Sequence, residues 1–354
     1  MGKIRVFIVD DSMVFRNYIS QTLASSQEFE IIGTATNGYE ALKTIPEMKP
    51  DVVTMDIEMP RLNGIELLKQ LLPVYPVPVV LVSSLSITVF DALSAGAVDF
   101  VKKPDWTNMQ NRDAFDENLR QKLKMAAGSK VHLPKDPGKA ARTTDERNYD
   151  HASQVANATR ILKTDKIIAI GASTGGTEAI LSVVRNFPAD MPGVVITQHM
   201  PAGFTAMYSE RLNRICKMEV KEAKNGDKVV QGRMLIAPGG YQMRVVRIGN
   251  GYEVTVTQEE RVNGHAPSVD VLFNSVAQNV RDHAIGVILT GMGADGAAGL
   301  LRMRKAGAFT IGQDKESCVV YGMPMEAYKL GAVCKQASLL NIPGIIYQQL
   351  GIHA

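Results

Sequence analysis

Three residues that could form a hydrolytic triad each follow an apolar run in the second half of the chain. Ser173 lies in Gly-Ala-Ser-Thr-Gly, which matches the G-x-S-x-G pattern of a serine on a sharp turn between a strand and a helix. His199 follows the apolar run Val194–Thr197, and Asp295 lies on the glycine-rich loop after the apolar run Ile285–Leu289. Because parallel strands end at one edge of a sheet, these side chains could meet there. The imidazole would then activate the alcohol, and the carboxylate would orient the imidazole.

The glycine-rich segment at Ser173 has two other interpretations when it is taken alone. It is compatible with a phosphate- or dinucleotide-binding loop, although it lacks the G-x-G-x-x-G spacing and a Walker lysine, and with a tight packing turn. The chain order serine, histidine, aspartate also differs from that of α/β-hydrolases, which argues against that fold. It leaves the triad hypothesis intact, because a triad depends on geometry and not on order.

The choice of base lies between two histidines. His199 ends an apolar run before Pro201, so we favour it as the base. His265 lies in the loop Asn-Gly-His and is expected to be solvent-exposed, with lining of the substrate cleft as the alternative. Asp295 could instead cap the helix predicted over Ala297–Lys305, but an aspartate can cap a helix and orient a histidine at once.

A second group of polar residues follows the predicted strands of the N-terminal half. Asp10 and Asp11 come after the first strand, and Asp56 comes after the third. Three converging carboxylates repel one another unless a cation neutralises them, and oxygen ligands in small number suit Mg²⁺. Ser83 and Lys103 follow the fourth and fifth strands, where a hydroxyl and an ammonium could hold phosphate oxygens. This pattern predicts an aspartate that accepts a phosphoryl group.

The remaining sequence supplies the elements that must position these side chains. Residues 1–125 alternate apolar runs with amphipathic stretches, which predicts a five-stranded, doubly wound parallel sheet of the flavodoxin-like type. Residues 126–164 are polar and have no sustained apolar period, so we interpret them as a linker. Residues 165–354 return to apolar runs and helical patterns, with an antiparallel hairpin predicted around Gly249–Gly251, which indicates a second doubly wound α/β domain.

Composition excludes several classes of function. The net charge of +3 over 354 residues gives no reason to expect a nucleic-acid groove or a polybasic membrane contact. The chain has no apolar run long enough to insert into a membrane, and no signal-peptide pattern at its start. The three cysteines are odd in number and widely spaced, as is typical of reduced thiols. We therefore expect a cytoplasmic protein without membrane insertion or nucleic-acid binding.

The N-terminal residues, from about 4 to 125, resemble response-regulator receiver domains. The resemblance lies in VDDS (Val9–Ser12), MDIEMPRLNG (Met55–Gly64), VSS (Val82–Ser84) and AGAVDFVKKP (Ala95–Pro104). It implies that Asp56 is the phosphoacceptor and that a chemotaxis histidine kinase is the phosphodonor. The other implied site residues are Asp10 and Asp11, which with Asp56 would hold Mg²⁺, the switch pair Ser83 and Phe100, and the phosphate contact Lys103.

The C-terminal residues, from about 165 to 350, resemble the chemotaxis protein-glutamate methylesterase (CheB) family. The matching segments are IGASTGGTEAI (Ile170–Ile180), TQHMP (Thr197–Pro201), APGG (Ala237–Gly240), HAPSVDVLF (His265–Phe273), TGMGADGAAGL (Thr290–Leu300) and YGMP (Tyr321–Pro324). The resemblance implies a carboxylic ester hydrolase with Ser173 as nucleophile, His199 as base and Asp295 as orienting acid. It also implies that Thr174 and Met292 lie at the oxyanion or substrate site.

Together the two resemblances imply a phosphorylation-activated methylesterase of chemotaxis adaptation. Its substrate would be the cytoplasmic domain of methyl-accepting chemoreceptors, whose glutamines it would also deamidate. Phosphorylation would need Mg²⁺, whereas ester hydrolysis would need no cofactor. Two alternatives stay open from the residues: a non-hydrolytic response regulator whose second domain binds a partner or nucleotide, and a general esterase for small diffusible esters.

Overall fold

The computed structural model describes residues 2–84, 87–104, 109–131 and 166–352. The chain divides into two compact units, the first within the 136 N-terminal residues and the second in the remainder. The predicted linker, 126–164, falls almost wholly outside the described residues. Each unit is built around its own parallel sheet, and none of the helices that the structure describes is long and apolar enough to cross a membrane.

The first unit is a five-stranded parallel sheet with the strand order β2-β1-β3-β4-β5. Its inner strands β1, β3 and β4 are mostly apolar and buried, as strands covered by helices on both faces must be, whereas most of the edge strand β2 is partly exposed. The order reverses between β1 and β3, so their carboxyl ends flank a crevice. The elements are β1 (Ile4–Val9), α1 (Met13–Ala24), β2 (Phe29–Ala35), α2 (Gly38–Met48), β3 (Val52–Met55), α3 (Gly64–Leu71), β4 (Val79–Ser83), α4 (Thr88–Ser94), β5 (Asp99–Lys102) and α5 (Met109–Ala126).

The second unit contains a seven-stranded parallel sheet with the order β15-β14-β13-β6-β7-β10-β8. Its first elements are β6 (Ile167–Ala172), α6 (Gly176–Val184), β7 (Val194–Gln198), α7 (Phe204–Ile215), β8 (Glu219–Glu222), β9 (Lys228–Val229) and β10 (Arg233–Ile236). After the hairpin β11 (Gln242–Ile248) and β12 (Gly251–Thr257) come α8 (Val269–Asn279), β13 (Ala284–Ile288), α9 (Ala297–Lys305), β14 (Phe309–Gln313), α10 (Met323–Lys329), β15 (Lys335–Ala337) and α11 (Ile342–Gln349).

Strand β6 is the point at which the order of strands along the sheet reverses. From β6 the chain moves to β7 on one side, and later to β13 on the other. The carboxyl ends of β6, β7 and β13 are therefore adjacent, and loops that follow them share one crevice. This topology is what brings together residues that are up to 122 positions apart in sequence, from Ser173 to Asp295.

The predicted fold class is confirmed in both units. The hairpin around residues 249–251 forms as expected, with Met243 opposite Val256 and Ile248 opposite Gly251. Strand β9 pairs with β12 and extends the hairpin to a three-stranded antiparallel sheet, which the sequence did not indicate. Strands β8, β14 and β15 were also not predicted.

Helix α8 packs directly onto β6, and a glycine makes this approach possible. A Cβ placed on Gly171 would lie 2.2 Å from Cγ1 of Val269, the first residue of α8, and 3.1 Å from the Phe273 ring. Both side chains are fully buried. Any larger residue at position 171 must therefore push the start of α8 away from the sheet.

We predict that Gly171→Ala destabilises the second unit. Forcing an extra methyl into a packed core costs about 1–3 kcal/mol in the free energy of unfolding. Gly344→Ala in α11 is the matched control, because a Cβ there meets nothing within 4 Å and the change should stabilise by about 0.4–1 kcal/mol. The measurement is the calorimetric unfolding midpoint of both variants. Equal midpoints for the two would contradict the close packing described here.

Candidate active site

Backbone register brings Ser173 and His199 side by side. Gly171 pairs with Thr197 and Ala172 with Gln198, so Ser173 and His199 are the next residues along two strands that lie about 4.8 Å apart. The His199 N–H donates to the Ala172 carbonyl (3.2 Å), which extends the pairing by one step. On the other side of β6, the Ser173 N–H donates to the Thr290 carbonyl (3.0 Å) after β13. Ser173 thus lies between the two loops that contain His199 and Asp295.

A sharp turn follows Ser173 and leads into α6. The Gly176 N–H donates to the Ser173 carbonyl (2.7 Å). Gly175 adopts a φ of 75°, and a Cβ there would lie 2.7 Å from the Val319 side chain. Both facts require glycine at this position. The strand, turn and helix expected from the G-x-S-x-G pattern are present, and Ser173 remains partly exposed.

His199 and Asp295 form a direct hydrogen bond. His199 Nε2 lies 2.8 Å from Asp295 Oδ2, and their side chains are only 8% and 2% exposed. An ionised carboxylate can only accept, so the imidazole proton belongs on Nε2. The other nitrogen, Nδ1, is buried and has no hydrogen-bond partner among the residues that the structure describes. Nδ1 is therefore the nitrogen available to remove a proton, and its bond to a serine can form when substrate binds.

Asp295 is held by an extensive set of donors at the start of α8. Its Oδ2 accepts from the Val269 N–H (2.7 Å), and its Oδ1 accepts from the Ser268 hydroxyl and from Asn263 Nδ2, both at 2.8 Å. Burial by itself would raise the pKa of Asp295, but the bond and charge of His199, together with Asn263 and Ser268, hold this pKa well below its ordinary value. The carboxylate is thus kept ionised, as an orienting acid must be.

A neighbouring carboxylate, Asp270, responds in the opposite direction. Burial raises the pKa of Asp270, the charge of Asp295 raises it further, and the Gly299 N–H opposes them. Asn263 Nδ2 donates to both carboxylates, at 2.8 Å to each.

Asp295 does not cap α9, the alternative that the sequence left open. Helix α9 begins without a side-chain cap, and Asp295 instead accepts from the first N–H groups of α8.

Gln198 links the backbones of Ser173 and His199. Its Nε2 donates to the Ser173 carbonyl (2.9 Å) and more weakly to the His199 carbonyl (3.4 Å), and its side chain is buried. Sequence reasoning did not single out Gln198, although it precedes His199 directly. No sequence signal indicates this contact, because it joins two loops that only the folded chain brings together.

His265 was expected to be solvent-exposed, and this is wrong. Its ring stacks on the ring of His199, with centroids 3.6 Å apart and planes 12° from parallel, and the residue is half-buried. Sequence reasoning also missed Asn263 and Ser268, whose side chains donate to Asp295 in addition to that of His199. All three belong to one short segment before α8.

The two residues predicted for oxyanion stabilisation lie in the loops on either side of Ser173. Thr174 is buried, and its carbonyl accepts from the Thr290 hydroxyl (3.0 Å). Met292 is half-buried in the loop after β13, where a Cβ on the preceding Gly291 would lie 2.7 Å from Ser173 Cβ. In the described part of the chain, the Met292 N–H donates to no protein acceptor. It is therefore available to a substrate oxygen.

The carboxylates predicted for the first unit converge at the ends of β1 and β3. Asp10, Asp11 and Asp56 each present an oxygen, and these atoms all lie within 4.8 Å of one another. Lys103 Nζ donates to Asp56 (2.6 Å) and to Asp10 (3.1 Å). Burial alone would lower the pKa of Lys103, but Asp56 and Asp10 raise it above its ordinary value. The ammonium thus stays charged beside the carboxylate pair.

Oxygen-only donors in this arrangement fit Mg²⁺. Burial raises the pKa of Asp10, Lys103 lowers it, and the charge of Asp56 raises it again. A bound cation would offset both the lost hydration of the Asp10 carboxylate and its repulsion by Asp56. At the end of β4 the Ser83 hydroxyl is buried and has no hydrogen-bond partner in the part that the structure describes. Phe100 is buried on the neighbouring β5, and Lys122 Nζ lies over its ring, 5.1 Å from the ring centroid.

Comparison with known proteins agrees with both halves of this description. The family model for CheB methylesterase matches residues 168–346, and the model for the response regulator receiver domain matches residues 6–113. The CheB methylesterase catalytic domain of Thermotoga maritima has a similar structure, with a TM-score of 0.51 and 32% identity over 54% of this chain and all of that one.

Two relatives match nearly from end to end. The protein-glutamate methylesterase/protein-glutamine glutaminase 2 of Syntrophomonas wolfei is 50% identical, over 98% of each chain. The protein-glutamate methylesterase/protein-glutamine glutaminase of Salmonella typhimurium is 44% identical, over 97% of this chain and 95% of its own. The chain therefore belongs to the CheB methylesterase family, with a response regulator receiver domain preceding the methylesterase domain.

Proposed function

We propose that this protein hydrolyses γ-glutamyl methyl esters on the cytoplasmic domain of methyl-accepting chemoreceptors, and that phosphorylation of its receiver domain raises the rate. The observation that supports this most directly is the buried pair His199–Asp295 beside Ser173 at the switch point of the second sheet. The names of the relatives, which describe methylesterases that are also glutaminases, support the choice of substrate.

In the proposed reaction, His199 Nδ1 takes the proton of the Ser173 hydroxyl as its oxygen attacks the ester carbonyl. The imidazolium that forms is stabilised by Asp295, whose low pKa keeps it ionised throughout. His199 then returns the proton to the leaving methoxide, and methanol departs. A water molecule, deprotonated by the same nitrogen, releases the glutamate from Ser173 and restores the enzyme. This step needs no cofactor.

The Met292 N–H is a proposed donor to the oxyanion of the tetrahedral intermediate, with Thr174 beside it. The preceding Gly291 lies beside Ser173, and the Met292 N–H donates to no acceptor among the described residues; both observations support this role. A preorganised donor of this kind contributes about 100- to 1,000-fold in rate. Deamidation of a glutamine follows the same path, because an amide differs from the ester only in releasing ammonia in place of methanol.

Control of the activity is proposed to reside in the first unit. Asp10, Asp11 and Asp56 would hold Mg²⁺, which offsets the charge of an incoming phosphoryl group. Asp56 would accept that group from a chemotaxis histidine kinase, and Lys103, already bonded to Asp56, would contact the phosphate. The unpartnered hydroxyl of Ser83 could then bind a phosphate oxygen, with Phe100 changing position as the second member of the switch. The proposed location is the cytoplasm, where both proposed partners would be accessible to the protein.

We predict that Ser173→Ala abolishes release of methanol from methylated receptor membranes without loss of fold. Removing the nucleophile of a triad lowers kcat by about a million-fold, to the level left by the rest of the site. Ser182→Ala is the matched control, because Ser182 lies on α6 and only donates to the Glu178 carbonyl. Methanol release is measured for both variants, with circular dichroism as the check on folding. A folded Ser173→Ala protein that releases methanol at the original rate would exclude this mechanism.

We predict that a small-molecule phosphodonor with Mg²⁺ accelerates methanol release, and that Asp56→Asn removes this acceleration. An amide cannot form the acyl phosphate. Asp51→Asn is the control, since Asp51 is an exposed aspartate at the other end of β3, where its carboxylate accepts from the Arg5 N–H. The readout is the ratio of rates with and without phosphodonor. Equal acceleration in wild type and Asp56→Asn would show that the proposed phosphoacceptor is wrong.

A further inference from the structure

One face of the His199 imidazole is covered by a second imidazole. The rings of His199 and His265 lie 3.6 Å apart and within 12° of parallel, which is full van der Waals contact over the ring. The hydrogen bond from Nε2 to Asp295 fixes one atom of the His199 ring, but a single bond leaves the ring able to rotate about it. Contact over a whole face restricts that rotation.

His265 is itself held by a tight turn. The N–H of Val262 donates to the His265 carbonyl (3.0 Å), and the His265 N–H donates back to Val262 (2.9 Å). Between them Asn263 and Gly264 both have positive φ, 54° and 82°, as a two-residue Asn-Gly hairpin turn requires. The His265 carbonyl also accepts from Gln242 Nε2 (3.0 Å), a buried side chain. The backbone below the stacked ring is therefore anchored on both sides.

The same turn also reaches the carboxylate of the triad. Asn263, two residues before His265, donates to Asp295 Oδ1 at 2.8 Å, while Asp295 Oδ2 accepts from His199. Two residues of one tight turn thus contact the imidazole and the carboxylate that orients it, His265 the former and Asn263 the latter. A turn whose only role was to connect β12 to α8 would not need either contact.

We propose that His265 is a positioning residue of the hydrolytic site, whose stacked ring fixes the imidazole of His199 in the orientation that directs Nδ1 toward Ser173. The role depends on a flat ring at position 265 and not on a proton carried by that ring. It rests on the proposed function only for the identity of the substrate, because orientation of the base also governs how fast Ser173 reacts with other electrophiles.

The test compares three substitutions in the full chain: His265→Phe, which retains a flat ring, and His265→Leu and His265→Gln, which do not. Two rates are measured. One is methanol release from methylated receptor membranes, resolved into kcat and KM. The other is covalent labelling of Ser173 by a fluorophosphonate, which needs no receptor. Thermal unfolding midpoints show which variants are folded. The two ringless variants differ in polarity, so the test can be read from either one if the other does not fold.

We expect His265→Phe to retain kcat, and the ringless variants to lose about 10- to 100-fold in kcat and labelling rate, as misplacement of a catalytic group by about 1 Å does. KM should stay unchanged. A change in KM alone would make His265 a substrate contact. A loss of kcat in His265→Phe equal to that in the ringless variants would make the imidazole chemistry of His265 essential. Either result overturns the proposal, as does full activity in a folded variant without a ring. If wild type releases no methanol, the proposed substrate is wrong, and labelling alone decides the role of His265.

Discussion

The hydrogen bond between His199 Nε2 and Asp295 is the interaction on which the rest of the site depends. A carboxylate that is almost fully buried is costly unless several donors compensate for its lost hydration. The structure supplies these donors from the start of α8, from Ser268 and from Asn263, besides His199 itself. Their number keeps Asp295 ionised, and an ionised Asp295 fixes which imidazole nitrogen holds the proton. The chemistry proposed at Ser173 follows from that assignment.

The position of α8 is therefore part of the active site as well as of the core. Its first N–H group reaches Asp295 only because Val269 packs against a strand that has no side chain at Gly171. Packing of the core and orientation of the base are thus determined by the same contact. The glycine turn after Ser173 has a similar double role, since it exposes the hydroxyl and lets Val319 close over the backbone.

The two units use the end of a parallel sheet in opposite electrostatic ways. In the first unit three carboxylates converge, and a single ammonium, Lys103, offsets only part of their repulsion, which favours a divalent cation. In the second unit the Asp295 carboxylate, with Asp270 beside it, is surrounded by hydrogen-bond donors of the chain itself. The same topology can therefore support phosphoryl transfer in one domain and acyl transfer in the other, because function depends on the site and not on the fold.

Much of this arrangement was predictable from sequence, because strand ends are visible as the points where apolar runs stop. That rule located Ser173, His199 and Asp295, and the receiver carboxylates, without any knowledge of distances. The contacts of Gln198, Asn263 and His265 were not predictable, since each joins loops that only the folded chain brings together. Strands β8 and β15 were missed because their residues, Glu-Val-Lys-Glu and Lys-Gln-Ala, lack the continuous apolar run of a central strand.

The most direct measurement of the central claim is the protonation state of each nitrogen of His199. In protein labelled with ¹⁵N-histidine, the His199 signals can be assigned by comparison with His199→Gln and followed at neutral pH. The account predicts a proton on Nε2, hydrogen-bonded to Asp295, and an unprotonated Nδ1. A neutral ring with its proton on Nδ1 would contradict the account, because the nitrogen available to Ser173 would then be unable to act as a base.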